Sequence, residues 1–576
     1  MAQKNNVSTM KPIKRFFRLI KLDKKDILYI YLYAIFAGLI ALSLPLGVQA
    51  IIGLIAGGSI SSSWMILIGV VTLGTVLAGV LTIMQLSVTE TIQQRIFTRS
   101  AFDFAYRIPR LKWEAIHSQY APELVNRFFD TLTVQKGLPK ILMDFSTSIL
   151  QIFFGLLLLS FYHPFFIFFG LLLLGIVLLI IYLTGPQGLK TSLKESKYKY
   201  EVAYWLEELA RSMGTFKLAG TSDLPMQKTD YLVNGYLDAR KAHFRVLVTQ
   251  FSSLVGFKAM VTMGLLILGS TLVINNDINL GQFVAAEIVI ILVMSSVEKL
   301  ILTMETIYDT LTALDKLGGF TDLDTELEEG IRFEQCDSGK GIEVELSGLS
   351  YQFPDAPNAT LDNLDLRIAA GEKICIAGYN SSGKSTLLHL IAGIYTHFTG
   401  SLSFNKIPYR NLDIVSLRAH IGDHISQEDI FRGTLLENIT MGHEGVSLQD
   451  AIRAVEQVGL AGFVKKLPNG YDTLLLPGGK NLPRNVISKI IFARCIASRP
   501  SLLAIEEPFD FLEKEDRERI ARLLTSSPNC TLVSVTDDPL LAAKCDRVII
   551  MQEGRIVEEG SFEKIRKSRH FENVFK

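Results

Sequence analysis

Long apolar runs occupy the first half of the chain, and each is long enough to cross a membrane. We predict six spans, at about 27–52, 64–86, 145–162, 164–183, 251–274 and 280–303. The hydrocarbon core of a bilayer is roughly 30 Å thick, which about 20 helical residues cross. The pattern therefore predicts a membrane α-helical domain, whose first helix is kinked near Pro45 because proline disrupts the preceding turn.

Two long polar stretches, 87–144 and 190–250, separate these spans, and both are rich in lysine and arginine. The links 53–63 and 275–279 and the turn at His163 are short and carry neither residue. Basic loops remain in the cytoplasm. The sequence therefore predicts a multi-pass protein of the cell (inner) membrane with both termini cytoplasmic.

We predict four parts along the chain: 1–25, 26–306, 307–340 and 341–576. The first is a basic amphipathic segment, with apolar residues among its charges, expected along the inner membrane surface. The second is the transmembrane domain with long cytoplasmic extensions, and the third is an acidic linker. In the fourth, strand-like and helix-like runs alternate, which is typical of an α/β domain.

Two ionisable residues stand out within the spans, Lys258 and Glu287. Charges inside a membrane usually face a cavity or a partner. Lys258 lies near the cytoplasmic end, where a long side chain reaches the interface, so we expect it to do so. For Glu287, a place on the transport pathway and a purely structural position are both open.

Composition agrees with a membrane protein. Of the 576 residues, 49% are hydrophobic and 20% are charged, whereas soluble domains average about 25% charged. Net charge is zero, which removes the bulk electrostatic case for nucleic-acid binding. The five cysteines all lie beyond residue 330 without a C-x-x-C pair, so the sequence indicates neither a disulfide framework nor a zinc site.

A glycine-rich loop follows a strand-like run at 373–377. Its residues fit G-x-x-x-x-G-K-[ST] and are Gly378, Tyr379, Asn380, Ser381, Ser382, Gly383, Lys384 and Ser385, with Thr386 next. An apolar helical run comes after it, so backbone N–H groups converge on an anion. We expect Lys384 to reach the β- and γ-phosphates of ATP and the Ser385 hydroxyl to ligate Mg²⁺.

With six spans, two long cytoplasmic excursions and this loop, the chain resembles a half-transporter of the ATP-binding cassette (ABC) exporters. The resemblance covers essentially the whole sequence and is strongest to type I secretion exporters, without their common N-terminal peptidase domain. It implies a six-helix exporter-type transmembrane domain joined to an α/β P-loop NTPase domain. It also implies a homodimer or a heterodimer with another half-transporter, a periplasmic adaptor, and coupling helices near 117–124 and 212–220.

The resemblance further assigns roles in the second half of the chain. Phe353 takes the position of an aromatic residue that stacks on adenine, and a phenyl ring serves as well as the usual tyrosine. Gln427 matches the glutamine that senses Mg²⁺ and the attacking water. Glu506 replaces the aspartate that orients Mg²⁺, and Glu507 matches the catalytic glutamate that polarises the water.

Two segments depart from the family pattern. The signature L-S-G-G-Q is replaced by 482–486, where Pro483 supplies neither a hydroxyl nor an N–H group, although Arg484 can still pair with a phosphate. Asp537 replaces the switch histidine, and a carboxylate there repels the γ-phosphate. These changes predict intact ATP binding with slow hydrolysis.

Two functions therefore remain open. The first is ATP-dependent export of a lipid, peptide or protein, which the retained Lys384, Ser385, Gln427 and Glu507 favour. The second is an ATP-binding, hydrolysis-deficient membrane protein that acts as the regulatory or degenerate half of a complex, which Asp537 and the altered signature favour. The six spans exclude a soluble P-loop ATPase that acts on DNA.

Overall fold

The structure, a computed structural model, describes residues 11–56, 62–116, 121–326, 329–333, 341–354, 356–425 and 430–575. The chain forms two compact units. The first combines Met1–Pro109 with Gln119–Leu323, and the second combines Arg110–Ser118 with Asp324–Lys576.

The first unit is built from helices throughout its described residues. In chain order the helices up to the second unit are α1 Pro12–Leu22, α2 Lys24–Ala41, α3 Ser43–Ala56, α4 Ser62–Arg107, α5 Trp113–Ile116, α6 Ala121–Asn126, α7 Asp130–Tyr162, α8 Phe165–Arg211, α9 Met213–Leu218, α10 Leu224–Ile274 and α11 Leu280–Thr321, with 3₁₀ turns at Ile108–Arg110 and Arg127–Phe129. Helix α5 belongs to the second unit.

In the part of the chain that the structure describes, six helical segments are long and apolar enough to cross a membrane, in agreement with the six spans predicted from the sequence. They are Lys24–Ala56, Ser62–Arg110, Glu123–Tyr162, Phe165–Arg211, Leu224–Ile274 and Leu280–Thr321. Each predicted apolar run falls inside one of them. The helices also continue through the polar stretches, because apolar residues recur there at helical spacing.

The first span is broken near Pro45, as predicted. Helix α2 ends at Ala41 and α3 begins at Ser43. A proline ring inside a helix clashes with the carbonyl group four residues earlier, and for Pro45 that carbonyl belongs to Ala41. The break at Leu42 follows directly from this clash.

Helix α11 corrects the predicted linker 307–340. It continues without interruption to Thr321, so the helix occupies the first part of the segment that the sequence analysis assigned to a linker. The reason is burial at helical spacing, since Tyr308, Leu311 and Leu314 are all less than 10% exposed. Acidic residues concentrate only after the helix ends.

The boundary of the second unit also differs from the predicted residue 341. The backbone N–H of Lys112 donates to the Asp324 carbonyl over 3.0 Å, and that of Glu326 donates to the Arg110 carbonyl over 2.8 Å. Leu111 and Thr325 form an isolated antiparallel bridge. These backbone bonds attach 110–118 to the second unit, a long-range pairing that hydrophobic periodicity does not report.

The second unit contains two larger β-sheets and one small one. The strands are β1 Val344–Tyr351, β2 Leu361–Ile368, β3 Lys373–Gly378, β4 Thr399–Phe404, β5 Ile407–Pro408, β6 Ile421–His424, β7 Gly433–Thr434, β8 Leu474–Leu475, β9 Leu502–Glu506, β10 Thr531–Val535, β11 Arg547–Gln552 and β12 Arg555–Gly560. Their orders are β2-β1-β4-β5, β12-β11-β3-β10-β9-β6 and β7-β8. In the six-stranded sheet only the pairing of β11 with β12 is antiparallel.

Helices cover the six-stranded sheet. They are α12 Lys384–Ile391, α13 Ile414–Arg418, α14 Leu435–Thr440, α15 Leu448–Gln457, α16 Ala461–Val464, α17 Arg484–Ala497, α18 Lys514–Ser526, α19 Pro539–Ala542, α20 Phe562–Ile565 and α21 Phe571–Val574. Side chains of β3 alternate between two buried clusters: Cys375 and Ala377 pack with α15 and α17, whereas Ile374 and Ile376 pack with α12 and the four-stranded sheet. A sheet buried on both faces has uniformly apolar strands, which explains the apolar composition of β3.

Candidate nucleotide site

Three parallel strands place the predicted site residues at one edge of the sheet. Strands β3, β10 and β9 are neighbours in that order. The glycine-rich loop follows β3, Asp537 follows β10, and Glu506 and Glu507 lie at the end of β9. Because the carboxyl ends of parallel strands share an edge, residues from three distant parts of the sequence meet there.

The loop conformation requires glycine at its two ends. Gly378 has φ 151°, and a Cβ atom there would lie 2.2 Å from the Met551 carbonyl oxygen. Gly383 has φ 92°, and its Cβ would lie 2.6 Å from the Leu361 side chain. Helix α12 begins immediately afterwards, so its free N–H groups face the loop, an arrangement that suits phosphate.

Lys384 lies inside the loop that it closes. Its Nζ donates to the carbonyl oxygens of Gly378, over 2.7 Å, and of Tyr379, over 2.9 Å. Burial lowers the pKa of Lys384, while Glu507, Asp537 and Glu506 act in the opposite direction. The ammonium group is therefore held at the loop without a direct ion pair among the described residues.

The remaining loop residues differ in exposure. Asn380 and Ser381 are exposed, whereas Ser382 and Thr386 are buried. The Ser382 hydroxyl has no hydrogen-bond partner among the described residues. A buried donor without a partner at this point fits a phosphate oxygen, because such a group is costly unless it is paired.

The Ser385 hydroxyl donates to the Glu506 carboxylate, which links the first turn of α12 to the end of β9. A hydroxyl and a carboxylate are hard oxygen ligands, and Mg²⁺ takes only one or two such protein groups together with phosphates and water. No cluster of three or more histidine, cysteine or acidic residues that could hold a metal occurs in the described part of the chain. The pair therefore fits Mg²⁺ bound with a nucleotide.

Glu507 lies at a strained turn beside this pair. Its φ is 41°, in the left-handed region that non-glycine residues seldom adopt, and its N–H donates to the Val535 carbonyl of β10 over 2.9 Å. Burial, followed by the charges of Asp537, Asp510 and Glu506, raises the pKa of Glu507 to about 7, against an opposing effect of Lys384. The carboxyl group can therefore accept or hold a proton near neutral pH.

Comparison with known proteins places this arrangement in a family. Residues 27–297 match the family described as ABC transporter transmembrane region, and residues 361–510 match the family described as ABC transporter. Together these two matched ranges cover most of the chain. The chain belongs to the ABC transporters. It is a multi-pass membrane protein with an ATP-binding domain, as the resemblance implied.

Curated relatives include secretion proteins and a lipid flippase. The chain is 27% identical over 361 residues to the cyclolysin secretion/processing ATP-binding protein CyaB of Bordetella pertussis, which is 62% of this chain and 50% of that protein. It is 24% identical over 365 residues to the alpha-hemolysin translocation ATP-binding protein HlyB of Escherichia coli O157:H7. This match covers 63% of this chain and 51% of that protein. It is 23% identical over 493 residues to the ATP-dependent lipid A-core flippase of Desulfotalea psychrophila, which is 85% of both chains.

The two secretion proteins are thus matched over about half of their own length. Among solved structures, a bacterial Atm1-family ABC exporter with ATP bound has a TM-score of 0.77, with 17% identity over 94% of this chain and 96% of that chain. This likeness confirms the predicted fold class, a six-helix exporter-type domain with an α/β nucleotide-binding domain.

The two segments predicted to depart from the ABC pattern have distinct geometries. Pro483 precedes α17 and Arg484 is its first residue. The Arg484 guanidinium lies 4.6 Å from the centre of the Phe511 ring, in the segment after Glu507. Asp537 is exposed, between the buried Thr536 and the turn that Asp538 caps.

The structure describes Phe353, which was predicted to stack on adenine, but not Gln427, which was predicted to sense Mg²⁺. The ring of Phe353 packs edge-on against Tyr351 at 5.0 Å and against Tyr395 at 5.6 Å, so this ABC transporter has a cluster of aromatic rings at the position expected for adenine. Gln427 lies outside the described residues.

Sequence reasoning missed His424. Its Nδ1 lies 3.2 Å from the Glu506 carbonyl oxygen, and its ring stacks on Phe492 at 4.3 Å. It supports the end of β9 from the neighbouring strand β6. No motif marks this histidine, because its role depends on strand order.

The predicted coupling segments are only partly described. Residues 117–120 lie outside the described residues, and α9 falls within the predicted 212–220. Just before the first segment, the Glu114 carboxylate of α5 accepts hydrogen bonds from the backbone N–H groups of Thr396, over 2.5 Å, and His397, over 3.0 Å. This acidic contact, inside the second unit, was not predicted.

Within the spans, two ion pairs occur that the sequence did not predict, and one of them involves Lys258. Lys258 Nζ of α10 lies 2.7 Å from Glu298 Oε2 of α11, so it is paired across two helices. Lys299 Nζ lies 2.9 Å from Asp144 Oδ1 of α7. Glu287 has no ion-pair partner among the described residues. The acidic partners Glu298 and Asp144 could not be predicted, because a single sequence does not show which helices lie side by side.

Proposed function

We propose that the protein is one half of an ATP-driven exporter, which couples ATP binding and hydrolysis to the outward movement of a lipid, peptide or protein. The observation that carries this proposal is the contact between Ser385 and Glu506 beside Lys384, on a chain that also carries six spans. The relatives named for cyclolysin secretion, alpha-hemolysin translocation and lipid A-core flipping support transport as the output.

In this proposal Lys384 leaves the loop carbonyls and pairs with the β- and γ-phosphates, while the N–H groups of 380–386 surround them. A charged donor on phosphate is a stronger interaction than its bonds to neutral carbonyls. Ser385 and Glu506 would hold Mg²⁺, and Gln427 would sense it, as the resemblance implies. Bound Mg²⁺ neutralises charge on the phosphates during transfer.

We assign the orientation and deprotonation of the attacking water to Glu507. Its position at the carboxyl end of β9 and its pKa of about 7 suit a general base at neutral pH. The negative charge of Asp537 hinders the reaction, because it lies where negative charge develops on the γ-phosphate. We therefore propose slow hydrolysis, with ATP binding intact and Phe353 placed beside the adenine.

We further propose a dimer of two half-transporters, identical or related, in the inner membrane, with both termini cytoplasmic and an adaptor as a further partner. The lysine- and arginine-rich extensions support this orientation. The relatives reported above are all named for secretion, translocation or flipping, so the comparisons give no support to a regulatory half without transport.

Hydrogen–deuterium exchange of the protein in lipid nanodiscs tests the coupling. We expect MgATP to slow exchange in 378–391 and also to change exchange in the cytoplasmic ends of α4, α7, α8 and α10. The Lys384→Ala variant should lose both responses. A response that is confined to the nucleotide site in the wild-type protein would contradict an exporter and favour ATP as a purely structural ligand.

A further inference from the structure

Helix α1 presents an exposed row of cationic side chains. Lys14, Arg18 and Lys21 lie within α1 at spacings of four and three residues, so they share one face of the helix. Lys11 directly precedes α1 and Lys25 lies in the first turn of α2, and all five side chains of this cationic row are exposed. None has a side-chain hydrogen bond or ion pair among the described residues. Next to this row, Ile13 is 50% and Phe17 57% exposed.

The nearby acidic residues do not neutralise this cationic row. Asp23 is paired with Arg99 over 3.2 Å, and Asp26 is paired with Arg95. Both arginines come from α4, on the other side. The row therefore keeps its positive charge and lies at the start of the first span, which begins at Lys24 and includes Lys25.

An anionic lipid surface matches these features better than nucleic acid or an acidic protein. Basic residues beside a span are attracted to anionic headgroups, while exposed apolar residues between them insert at the boundary of the acyl chains. Nucleic acid would leave Ile13 and Phe17 in water. The position of α1, joined to a span through Asp23 alone, keeps it at the membrane boundary.

The opposite face of α1 is fastened to the end of α11. Arg15 is 9% exposed, and its Nη1 donates to the carbonyl oxygens of Leu314, over 3.0 Å, and Asp315, over 3.4 Å. Its Nη2 pairs with Asp322, the residue that follows α11. These contacts hold the guanidinium of Arg15 against the last turns of α11 and the residue that follows them.

The end of α11 is shaped to receive this arginine. A Cβ atom at Gly318 would lie 0.6 Å from Arg15 Nη1, so only glycine admits the guanidinium there. From α4, Arg107 Nη1 donates to the Thr321 carbonyl over 3.0 Å. The chain enters the second unit at Asp324, two residues after Asp322.

We propose that α1 binds anionic lipid headgroups through its cationic row, and that Arg15 passes the effect of this binding to the C-terminal end of α11. Anionic lipid thereby restrains the segment that leads into the nucleotide-binding unit and regulates its turnover. Only this last step rests on the proposed ATPase function; lipid binding and its transmission do not.

The first test measures hydrogen exchange of 12–22 in nanodiscs of pure phosphatidylcholine and in nanodiscs with an equal share of phosphatidylglycerol. We expect exchange at least about threefold slower with phosphatidylglycerol, since several cations each gain attraction. The difference should vanish in high salt and in a variant that combines Lys14→Gln, Arg18→Gln, Lys21→Gln and Lys25→Gln. Equal exchange in both nanodiscs for the wild-type protein would overturn the proposal.

The second test concerns transmission, measured at 312–322 in the same nanodiscs. The Gly318→Ala variant should keep the lipid response of α1 and lose that of the α11 end. Gly256→Ala is the matched control, because no atom lies within 4 Å of the added Cβ, and it should behave as wild type. Arg15→Lys, which keeps the charge but not the forked contact, should act like Gly318→Ala even if the latter folds poorly. An unchanged α11 response in Arg15→Lys would overturn transmission through Arg15.

Discussion

The Arg484 guanidinium lies 4.6 Å from the centre of the Phe511 ring, so the altered signature segment contacts the segment after Glu507. A cation over an aromatic face is attracted by the ring, the more so when water is excluded. The segment that replaces the signature and the segment after Glu507 are thus in contact within one chain. Changes to either one will affect the other.

Restoring the family pattern should speed hydrolysis. We predict that L-S-G-G-Q at 482–486 combined with Asp537→His raises kcat at least about tenfold, which corresponds to ~1.4 kcal/mol of barrier. The restored hydroxyl and imidazole supply donors to the developing charge. The measurement is ATP turnover in lipid, and adding Glu507→Gln to the restored chain should abolish the gain. No gain would mean that other features limit turnover.

Turnover should rise with pH around neutrality. A general base must be deprotonated, and burial together with Asp537 raises the pKa of Glu507 to about 7, so the active fraction grows between about pH 6 and 8. Asp537→Asn removes one like charge and should shift the midpoint to lower pH. The pH profile of kcat for both proteins checks this. A shift to higher pH in Asp537→Asn would contradict the assigned coupling.

Lys384→Ala should weaken ATP binding by roughly 10- to 100-fold, as expected for the loss of a charge-assisted hydrogen bond worth about 1.5–3 kcal/mol. Equilibrium binding of a fluorescent ATP analogue measures the effect. Lys466→Ala is the control, because Lys466 is exposed and its side chain has no hydrogen bond or ion pair among the described residues. Equal affinity for ATP in the wild-type protein, Lys384→Ala and Lys466→Ala would mean that Lys384 does not contribute to ATP binding.

Removing Lys299 from its ion pair with Asp144 should destabilise the protein more than neutralising Asp144 does. Lys299→Ala leaves the Asp144 carboxylate, whose side chain is 6% exposed, with the Thr303 hydroxyl, at 3.3 Å, as its one side-chain partner among the described residues. We expect a loss of roughly 1–3 kcal/mol. Asp144→Asn should cost less, because the Lys299 side chain is 45% exposed and, being long, can extend to the membrane interface.

Thermal unfolding of both variants in the same detergent ranks these two costs. A larger loss for Asp144→Asn than for Lys299→Ala would mean that the buried carboxylate is stabilised by something other than its lysine.

Much of the fold and the site could be predicted from the sequence, because local patterns carry them. The six apolar runs, the break that Pro45 causes and the strand–loop–helix around Lys384 each depend on neighbouring residues alone. The contact between Ser385 and Glu506 followed from the rule that parallel strands end at one edge.

Features that depend on packing between distant segments could not be predicted. Helix α11 extends past 306 because Tyr308 and Leu314 find buried neighbours. Arg15 looks like any surface arginine in the sequence, and only its contact with Gly318 shows otherwise. The partners Glu298 and Asp144, and the position of His424, depend in the same way on which elements lie side by side.

The most direct test of the central claim is ATP turnover by the purified protein in lipid, compared with Glu507→Gln. We predict slow but measurable turnover that Glu507→Gln abolishes while ATP binding is retained, because that change removes the base and keeps the size of the side chain. Binding without turnover in the wild-type protein, or turnover that survives Glu507→Gln, would contradict an ATP-driven exporter that works through this site.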